Sequence, residues 1–201
     1  MTNLISNLAS KARNFASGFT LGGHTTESSK KSTDFIDKYL SKPNKEGGYK
    51  LNDLEQEAKR TTDLSDLSAF QNHDDFVIRS CAANNPNCTS SHLDKALDDK
   101  NSYVRACAAK HPNCSSENIS KALDDKDSSV RSYAAQHSNA TKENLDKALG
   151  DAVPYVRSRA ATNKNCTKEH LSKAMDDMSG YDVRRSAWQN PNYKKFFPSG
   201  H

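Results

Sequence analysis

The 201 residues are 34% hydrophobic, 7% aromatic and 27% charged, with a net charge of +4. These apolar fractions are low for a single thick core, and the charge lacks the strong basic excess typical of a domain dedicated to nucleic acid. No apolar run approaches membrane-spanning length and the first residues lack the apolar core of a secretory signal, so we expect a cytoplasmic protein without a membrane span.

The first part of the chain is predicted to form an arm, a linker and a short helical region. The sequence predicts an amphipathic helix over residues 1–21, whose apolar stripe consists of Leu4, Leu8, Phe15 and Phe19. The Gly- and Ser-containing residues 22–32 are expected to be a flexible linker, followed by a helical region over 33–62. An arm that only capped its own domain would need no tether, so we expect the stripe to contact a protein partner or a second copy.

From residue 63 to residue 195 the sequence repeats itself. The marker is an arginine preceded by valine or isoleucine, at Arg79, Arg105, Arg131, Arg157 and Arg184. The intervals between these arginines are 26, 26, 26 and 27 residues. An alanine follows three residues after every one of them, and an asparagine eight residues after. So many coincidences at one spacing identify an internal repeat.

Each unit is predicted to form two short helices. In the second unit, Val104, Ala108 and Ala109 share one face of the first helix. That helix ends before Pro112, because the residue preceding a proline avoids the helical region, and Ser115 is placed to cap the second helix. Helices of about two turns cannot bury their apolar faces alone, so successive units must stack. We therefore expect an all-α fold: an α-solenoid of about five 26-residue repeats with terminal caps over 63–195, and a tail over 196–201.

The repeated pattern carries a family resemblance. Asp-Asp, then Val-Arg-x-x-Ala-Ala, then Asn-Pro-Asn, then Ser/Thr-x-Glu-x-Leu-x-x-Ala-Leu resembles the leucine-rich repeat variant family and a shortened HEAT-type repeat. The resemblance implies a right-handed superhelix of short helices and a scaffold without a common enzymatic activity. Some relatives carry an iron–sulfur cluster in a cysteine-rich segment ahead of the repeats, but residues 1–80 here contain no cysteine, so no cofactor is implied.

The arginine row suggests either a phosphate-binding face or a structural ladder. Aspartates precede successive arginines by six or seven residues, at Asp99, Asp125, Asp151 and Asp177. They can pair with the arginines inside a unit or between units, and in HEAT-type repeats the matching residues are structural. A half-buried bidentate pair is costly to break from one side, so we predict that this row serves stability.

A row of lysines would suit a nucleic-acid backbone; it consists of Lys95, Lys121, Lys147 and Lys173. Three of these lysines follow a glutamate by four residues, which is the favourable order for a helical ion pair; the glutamates are Glu117, Glu143 and Glu169. We therefore expect a solvated, charge-paired face. Binding of a nucleic-acid backbone by this basic face stays the alternative function.

Cysteines and asparagines also recur with the repeat. Five cysteines, an odd number, favour free thiols, and their positions elsewhere hold residues such as Ala140, which indicates small buried fillers rather than metal ligands. The asparagine at each inter-helix turn is expected to hydrogen-bond the backbone. These repeated residues are therefore predicted to maintain the fold.

The last unit breaks the pattern, because Trp188 replaces the second alanine and aromatic residues follow it. This segment forms either a cap over the last apolar face or a docking patch of Trp188, Tyr193, Phe196 and Phe197.

No Ser–His–Asp pattern, phosphate-cradling glycine loop or paired-carboxylate motif stands apart from the repeat. No catalytic, metal-binding or cofactor-binding residue is predicted, and we do not expect an enzyme. The expected function is a non-enzymatic adaptor or structural subunit, which binds a protein partner or self-assembles through the arm and the solenoid surface.

Overall fold

The computed structural model describes residues 51–198, and these residues form twelve helices and no strand. The helices are α1 Leu51–Arg60, α2 Leu64–Phe70, α3 Phe76–Ala83, α4 Ser90–Leu97, α5 Ser102–Lys110, α6 Ser116–Ala122, α7 Ser128–Ala135, α8 Lys142–Ala148, α9 Pro154–Ala161, α10 Lys168–Met175, α11 Tyr181–Gln189 and α12 Tyr193–Phe196. The all-α expectation is thus confirmed for this part of the chain. None of these helices is long and apolar enough to cross a membrane.

The described residues divide into two compact units, residues 51–87 and residues 88–198. In the first, α1 packs against α3 and α2 against both. Leu67, Phe70 and Ile78 are completely buried and form its core. Asp63 caps α2, since its carboxylate accepts from the backbone amide of Ser65 at 2.8 Å.

In the second unit, helices of two kinds alternate along the chain. α5, α7, α9 and α11 pack on one another in sequence, and α4, α6, α8 and α10 alternate with them. Both kinds present a small buried face, as in Val104 and Ala108 of α5 and Ile119 and Ala122 of α6. Because alanine occupies many of the inward positions, neighbouring helix backbones approach closely.

The predicted caps of the second helices are confirmed. Ser115 precedes α6, and its hydroxyl accepts from the backbone amide of Asn118 at 3.2 Å. Threonine has the same role at Thr89, Thr141 and Thr167. Helix α9 begins differently, with Pro154 in its first turn. The amides of a first turn have no acceptor within the helix, so proline loses no hydrogen bond there.

Gly180 immediately precedes α11 and is closely packed against it. A Cβ atom at this position would lie 2.6 Å from Cγ2 of Val183, a side chain that is itself completely buried. A residue larger than glycine would therefore displace the first turn of α11 from its packing.

Candidate interaction surface

The arginine row forms ion pairs between successive repeats of the second unit. Arg105 donates from Nε and Nη2 to both carboxylate oxygens of Asp125, at 2.6 and 2.9 Å. The same bidentate geometry recurs in the pairs Arg131–Asp151 and Arg157–Asp177. The side chains of all three pairs are largely buried, so the guanidinium fork meets the carboxylate away from bulk water.

Each aspartate of these pairs also organises its own loop. Oδ1 of Asp125 accepts from the backbone amide of Asp127 at 2.8 Å, and its carbonyl oxygen accepts from Nη1 of Arg131 at 2.9 Å. Asp125 therefore binds two arginines. Its side chain binds Arg105 of the preceding repeat, and its backbone carbonyl binds Arg131 of its own repeat. The contacts also occur at Asp151 and Asp177.

Within these pairs, the pKa values of Asp151, Asp177 and Arg131 are shifted in the direction that favours the charged state. The hydrogen bond from Arg157, helped by the Ser179 hydroxyl and amide, lowers the pKa of Asp177 to about 2. Burial by itself would raise the pKa of Asp151, but hydrogen bonds from Arg131 and from the Val153 amide outweigh it and lower that pKa. The hydrogen bond to Asp151 in turn raises the pKa of Arg131.

Arg79, Asp99 and Arg184 make the contacts of this row to the loop that precedes a first helix. Arg79 is buried and donates to the carbonyls of His73 and Asp74, both at 2.8 Å. Asp99 accepts from the amide of Asn101 through Oδ1, as the later aspartates do in their own loops. Arg184 donates to the carbonyl oxygen of Asp177. The contact with the loop before the helix is thus shared by all five arginines.

The asparagine eight residues after each arginine bonds to the preceding repeat. Nδ2 of Asn139 donates to the carbonyls of Pro112 and Cys114, at 3.3 and 3.0 Å. The equivalent donors are Asn87, Asn113, Asn165 and Asn192. The predicted bond to backbone is confirmed, but its acceptor lies about one period earlier in the chain rather than in the asparagine's own turn.

Sequence reasoning missed a second polar row, two residues before these asparagines. It consists of Asn85, His111, His137, Asn163 and Asn190, all of them buried. Nδ1 of His137 accepts from the amide of Asn139 at 3.1 Å, and Nε2 lies 2.9 Å from the carbonyl of His111. Since Nδ1 accepts, Nε2 carries the proton and donates. Asn163 repeats this with Oδ1 as acceptor and Nδ2 as donor.

Histidine and asparagine also interchange in the first turn of the second helices. In each capping box the side chain three residues after the cap accepts from the backbone amide of the cap. Oδ1 of Asn118 accepts from Ser115 at 3.1 Å, and Nδ1 of His170 accepts from Thr167 at 3.1 Å. Both acceptor atoms are two bonds beyond Cβ, which explains why the two residue types alternate. This alternation at a fixed place in the period was the sequence signal for both polar rows.

Two lysines of the row, Lys121 and Lys147, form ion pairs, but with other partners than the predicted glutamates. Nζ of Lys121 lies 2.9 and 2.8 Å from carboxylate oxygens of Asp94 and Asp98, in the preceding repeat. Lys147 reaches Asp124 in the same way, at 2.6 Å. Glu117, the expected partner of Lys121, accepts from the hydroxyl of Ser116 instead. The lysine side chains extend across to the neighbouring helix, which is why the acids four residues earlier are not their partners.

All five cysteines are buried thiols and none of them is in a disulfide, as predicted. Sγ of Cys114 donates to the carbonyl of Ala108, and Cys166 donates to Ala160. Burial raises the pKa of these two thiols to about 11 and about 12, respectively. In residues 51–198, no group of three or more His, Cys, Asp or Glu side chains is arranged to hold a metal ion.

The C-terminal aromatic residues separate into packed and exposed ones. Tyr193 is buried at the position that Cys166 occupies one repeat earlier, and its ring centroid lies 5.0 Å from that of Phe197. Tyr193 therefore belongs to the packing of this end and not to an open docking patch. Phe196 is half-buried, with Nζ of Lys195 5.7 Å from its ring centroid, whereas Trp188 is exposed.

Three tyrosines on the first helices, which the sequence reasoning did not single out, have exposed rings. Tyr103 on α5, Tyr133 on α7 and Tyr155 on α9 are 60%, 42% and 52% exposed. Tyr155 and Arg159 are four residues apart and face each other, with Nη2 of Arg159 2.7 Å from the Tyr155 hydroxyl. Tyr133 holds the same place in α7 as Arg159 in α9, and Tyr103 holds the same place in α5 as Tyr155 in α9. Since Tyr155 and Arg159 face each other, the three tyrosines lie on the same side of the first helices. We call them the tyrosine row.

The predicted arm, with Leu4, Leu8, Phe15 and Phe19, lies outside the described residues, as do the linker over 22–32 and the tail beyond residue 198. Compared with models of known protein families the chain matches none, and no curated protein is significantly similar to it.

Proposed function

We propose that this chain is a non-enzymatic α-solenoid scaffold that binds protein partners through the surface of its repeats. The observation that supports it is the use of the repeated polar side chains. Arginine, asparagine and histidine side chains at 26-residue spacing bond to the backbone or carboxylates of a neighbouring repeat, as in Arg131 with Asp151 and Asn139 with Cys114. Because these repeated side chains hold neighbouring repeats together, the exposed side chains of the repeats are the ones available to bind a partner.

The proposed architecture is a right-handed solenoid of about five repeats, of the leucine-rich repeat variant or short HEAT-like kind. It is supported by the resemblance of the repeated pattern and by contacts that recur between equivalent residues. Such arrays present extended surfaces on which each repeat contributes one or two side chains.

Removal of one whole period tests the architecture. Deleting residues 125–150 brings Asp151 to the position of Asp125, so Arg105 regains a carboxylate at the same spacing. We expect a folded, shorter protein with one cooperative thermal transition. Deleting only residues 138–150 removes a second helix and leaves two first helices in succession, so this control should lose cooperative unfolding. If both deletions unfold alike, the repeats are not interchangeable stacked units.

The tyrosine row is the proposed partner-binding surface. Tyrosine is enriched at protein interfaces because its ring buries a large area at little conformational cost while the hydroxyl keeps a polar contact. Three such rings on successive helices of one unit form a spaced set of anchors. By contrast, Lys121 and Lys147 are paired with aspartates, which reduces the positive charge available to bind a nucleic-acid backbone.

A paired set of variants tests the function. Affinity capture from lysate of the native host would compare the full chain with a variant in which Tyr103, Tyr133 and Tyr155 are serine. A second variant replaces Lys95, Lys121, Lys147 and Lys173 by glutamine. We expect the tyrosine variant to lose a protein that the parent and the lysine variant both retain. Tight binding of duplex DNA or RNA by the parent, steeply weakened by salt and lost in the lysine variant, would instead establish the nucleic-acid function.

A further inference from the structure

In the last repeat, one side chain is exposed at a position that is buried in the earlier repeats. Trp188 on α11 is the fourth residue after the arginine. The equivalent residues of α5, α7 and α9 are Ala109, Ala135 and Ala161. These alanines are 0–1% exposed, whereas Trp188 is 63% exposed. The other inward residues of α11, Val183 and Ala187, stay completely buried. The open position is therefore the one that faces a following repeat.

Arg184, on the same helix, lacks one of the two contacts that the preceding arginines make. The arginines of the three preceding repeats each bind a backbone carbonyl before their helix and a carboxylate 20 residues after it, as Arg157 does with Asp177. Arg184 keeps the backbone contact, with the carbonyl of Asp177. Within residues 51–198 its half-buried guanidinium meets no carboxylate. A group that completed the arrangement would be acidic.

Charge is distributed unevenly between this end and the beginning of the described chain. Residues 181–198 contain four basic residues and one acidic residue. Residues 51–75 contain seven acidic residues and two basic ones. In the acidic segment and the start of α3, the carboxylates of Asp53 and Asp74 and the apolar side chains of Leu64 and Phe76 are exposed. This region thus offers both a carboxylate for Arg184 and an apolar surface for an indole ring.

We propose that the α11 end face, formed by Trp188 and Arg184, binds the acidic α1–α3 region of a second copy of this chain. Trp188 packs on the apolar side chains of that region, and Arg184 pairs with one of its exposed carboxylates. Because the two surfaces differ, the contact is head to tail and can be repeated from copy to copy. This inference rests on the proposed function, since it extends the stacking of repeats from one chain to the next.

Sedimentation velocity of the full chain over a range of concentrations tests the contact. We expect the weight-average sedimentation coefficient to rise with concentration, and to rise less at high salt because the charges are screened. The double variant Trp188→Ala, Arg184→Glu should sediment as a monomer throughout. Lys110→Glu, which reverses an exposed charge on α5 away from both surfaces, should associate like the parent. A parent that is monomeric at all concentrations, or a double variant that still associates, overturns the proposal.

A mixing experiment tests the polarity and guards against a variant that fails to fold. The double variant Asp53→Lys, Asp74→Lys should also be monomeric, because its acidic region no longer attracts the end face. Mixed with the end-face variant, it should form a heterodimer, since each partner supplies the surface that the other lacks. No new species in the mixture would show that these are not the two surfaces. If the chain passes the repeat-deletion test yet stays monomeric, head-to-tail assembly is wrong while the scaffold stands.

Discussion

Arg131 binds both carboxylate oxygens of Asp151, a residue 20 positions later in the chain, at 2.6 and 3.1 Å. The same arginine donates to the carbonyl of Asp125 at 2.9 Å, and Asp125 in turn accepts Arg105. Each pair therefore joins two repeats and fixes the loop between them.

Replacing Arg131 by alanine should destabilise the protein by on the order of 3 kcal/mol, because the variant leaves the buried carboxylate of Asp151 without its partner. Chemical denaturation of the parent and the variant measures this difference. The matched control is Arg159→Ala, whose side chain is half-buried and whose guanidinium bonds to the hydroxyl of Tyr155 rather than to a buried carboxylate. The control should change stability by less than about 1 kcal/mol. An Arg131 variant as stable as this control would contradict a structural role for the pairs.

Stability should fall at acid pH as Asp177 is protonated. Its pKa of about 2 in the folded protein lies below the value of about 3.9 for an unfolded chain. The stabilisation by Arg157 is therefore complete above about pH 4 and is lost as the pH falls towards 2. Thermal melting between these pH values should show a steeper loss for the parent than for Asp177→Asn, which has no charge to lose. Parallel melting curves for the two proteins would mean that the ionised carboxylate of Asp177 does not stabilise the folded protein.

His137→Asn should be tolerated, whereas His137→Leu should not. Asparagine occupies the same place as His137 in the next repeat, at Asn163, where it makes equivalent bonds. Leucine would leave the amide of Asn139 without its side-chain acceptor and would remove one of the two hydrogen bonds that the carbonyl of His111 accepts, at a cost of roughly 2 kcal/mol. Denaturant midpoints of both variants distinguish these outcomes. Equal destabilisation by the two substitutions would show that ring packing, and not hydrogen bonding, selects histidine here.

The thiols of Cys114 and Cys166 should not react in the folded protein at neutral pH. Burial holds their pKa values at about 11 and about 12, so the reactive thiolate is scarce and also inaccessible. Alkylation followed by peptide mass analysis should label both residues only after denaturant is added. Rapid labelling of the native protein would indicate that these helices open readily.

Much of the local structure was predictable from the sequence because its causes are local. Pro112 limits the first helix of its repeat, and Ser115 caps the second through an amide three residues away. The period itself was visible because identical residues return at 26-residue spacing. By contrast, the partners of Lys121 were predicted wrongly, since an acid four residues earlier in the same helix competes with acids on a neighbouring helix.

By itself, the sequence determined that residues 63–195 form short helices with a 26-residue sequence period and which positions in each period are apolar. Only the tertiary structure decided that Arg131 binds the aspartate of the following repeat and that His137 bridges to His111. It also decided that Tyr193 is buried while Trp188 is exposed. The physical reason is range: helix formation and capping depend on atoms a few residues apart, whereas these contacts join residues 20 or more positions apart and exist only once the helices have packed.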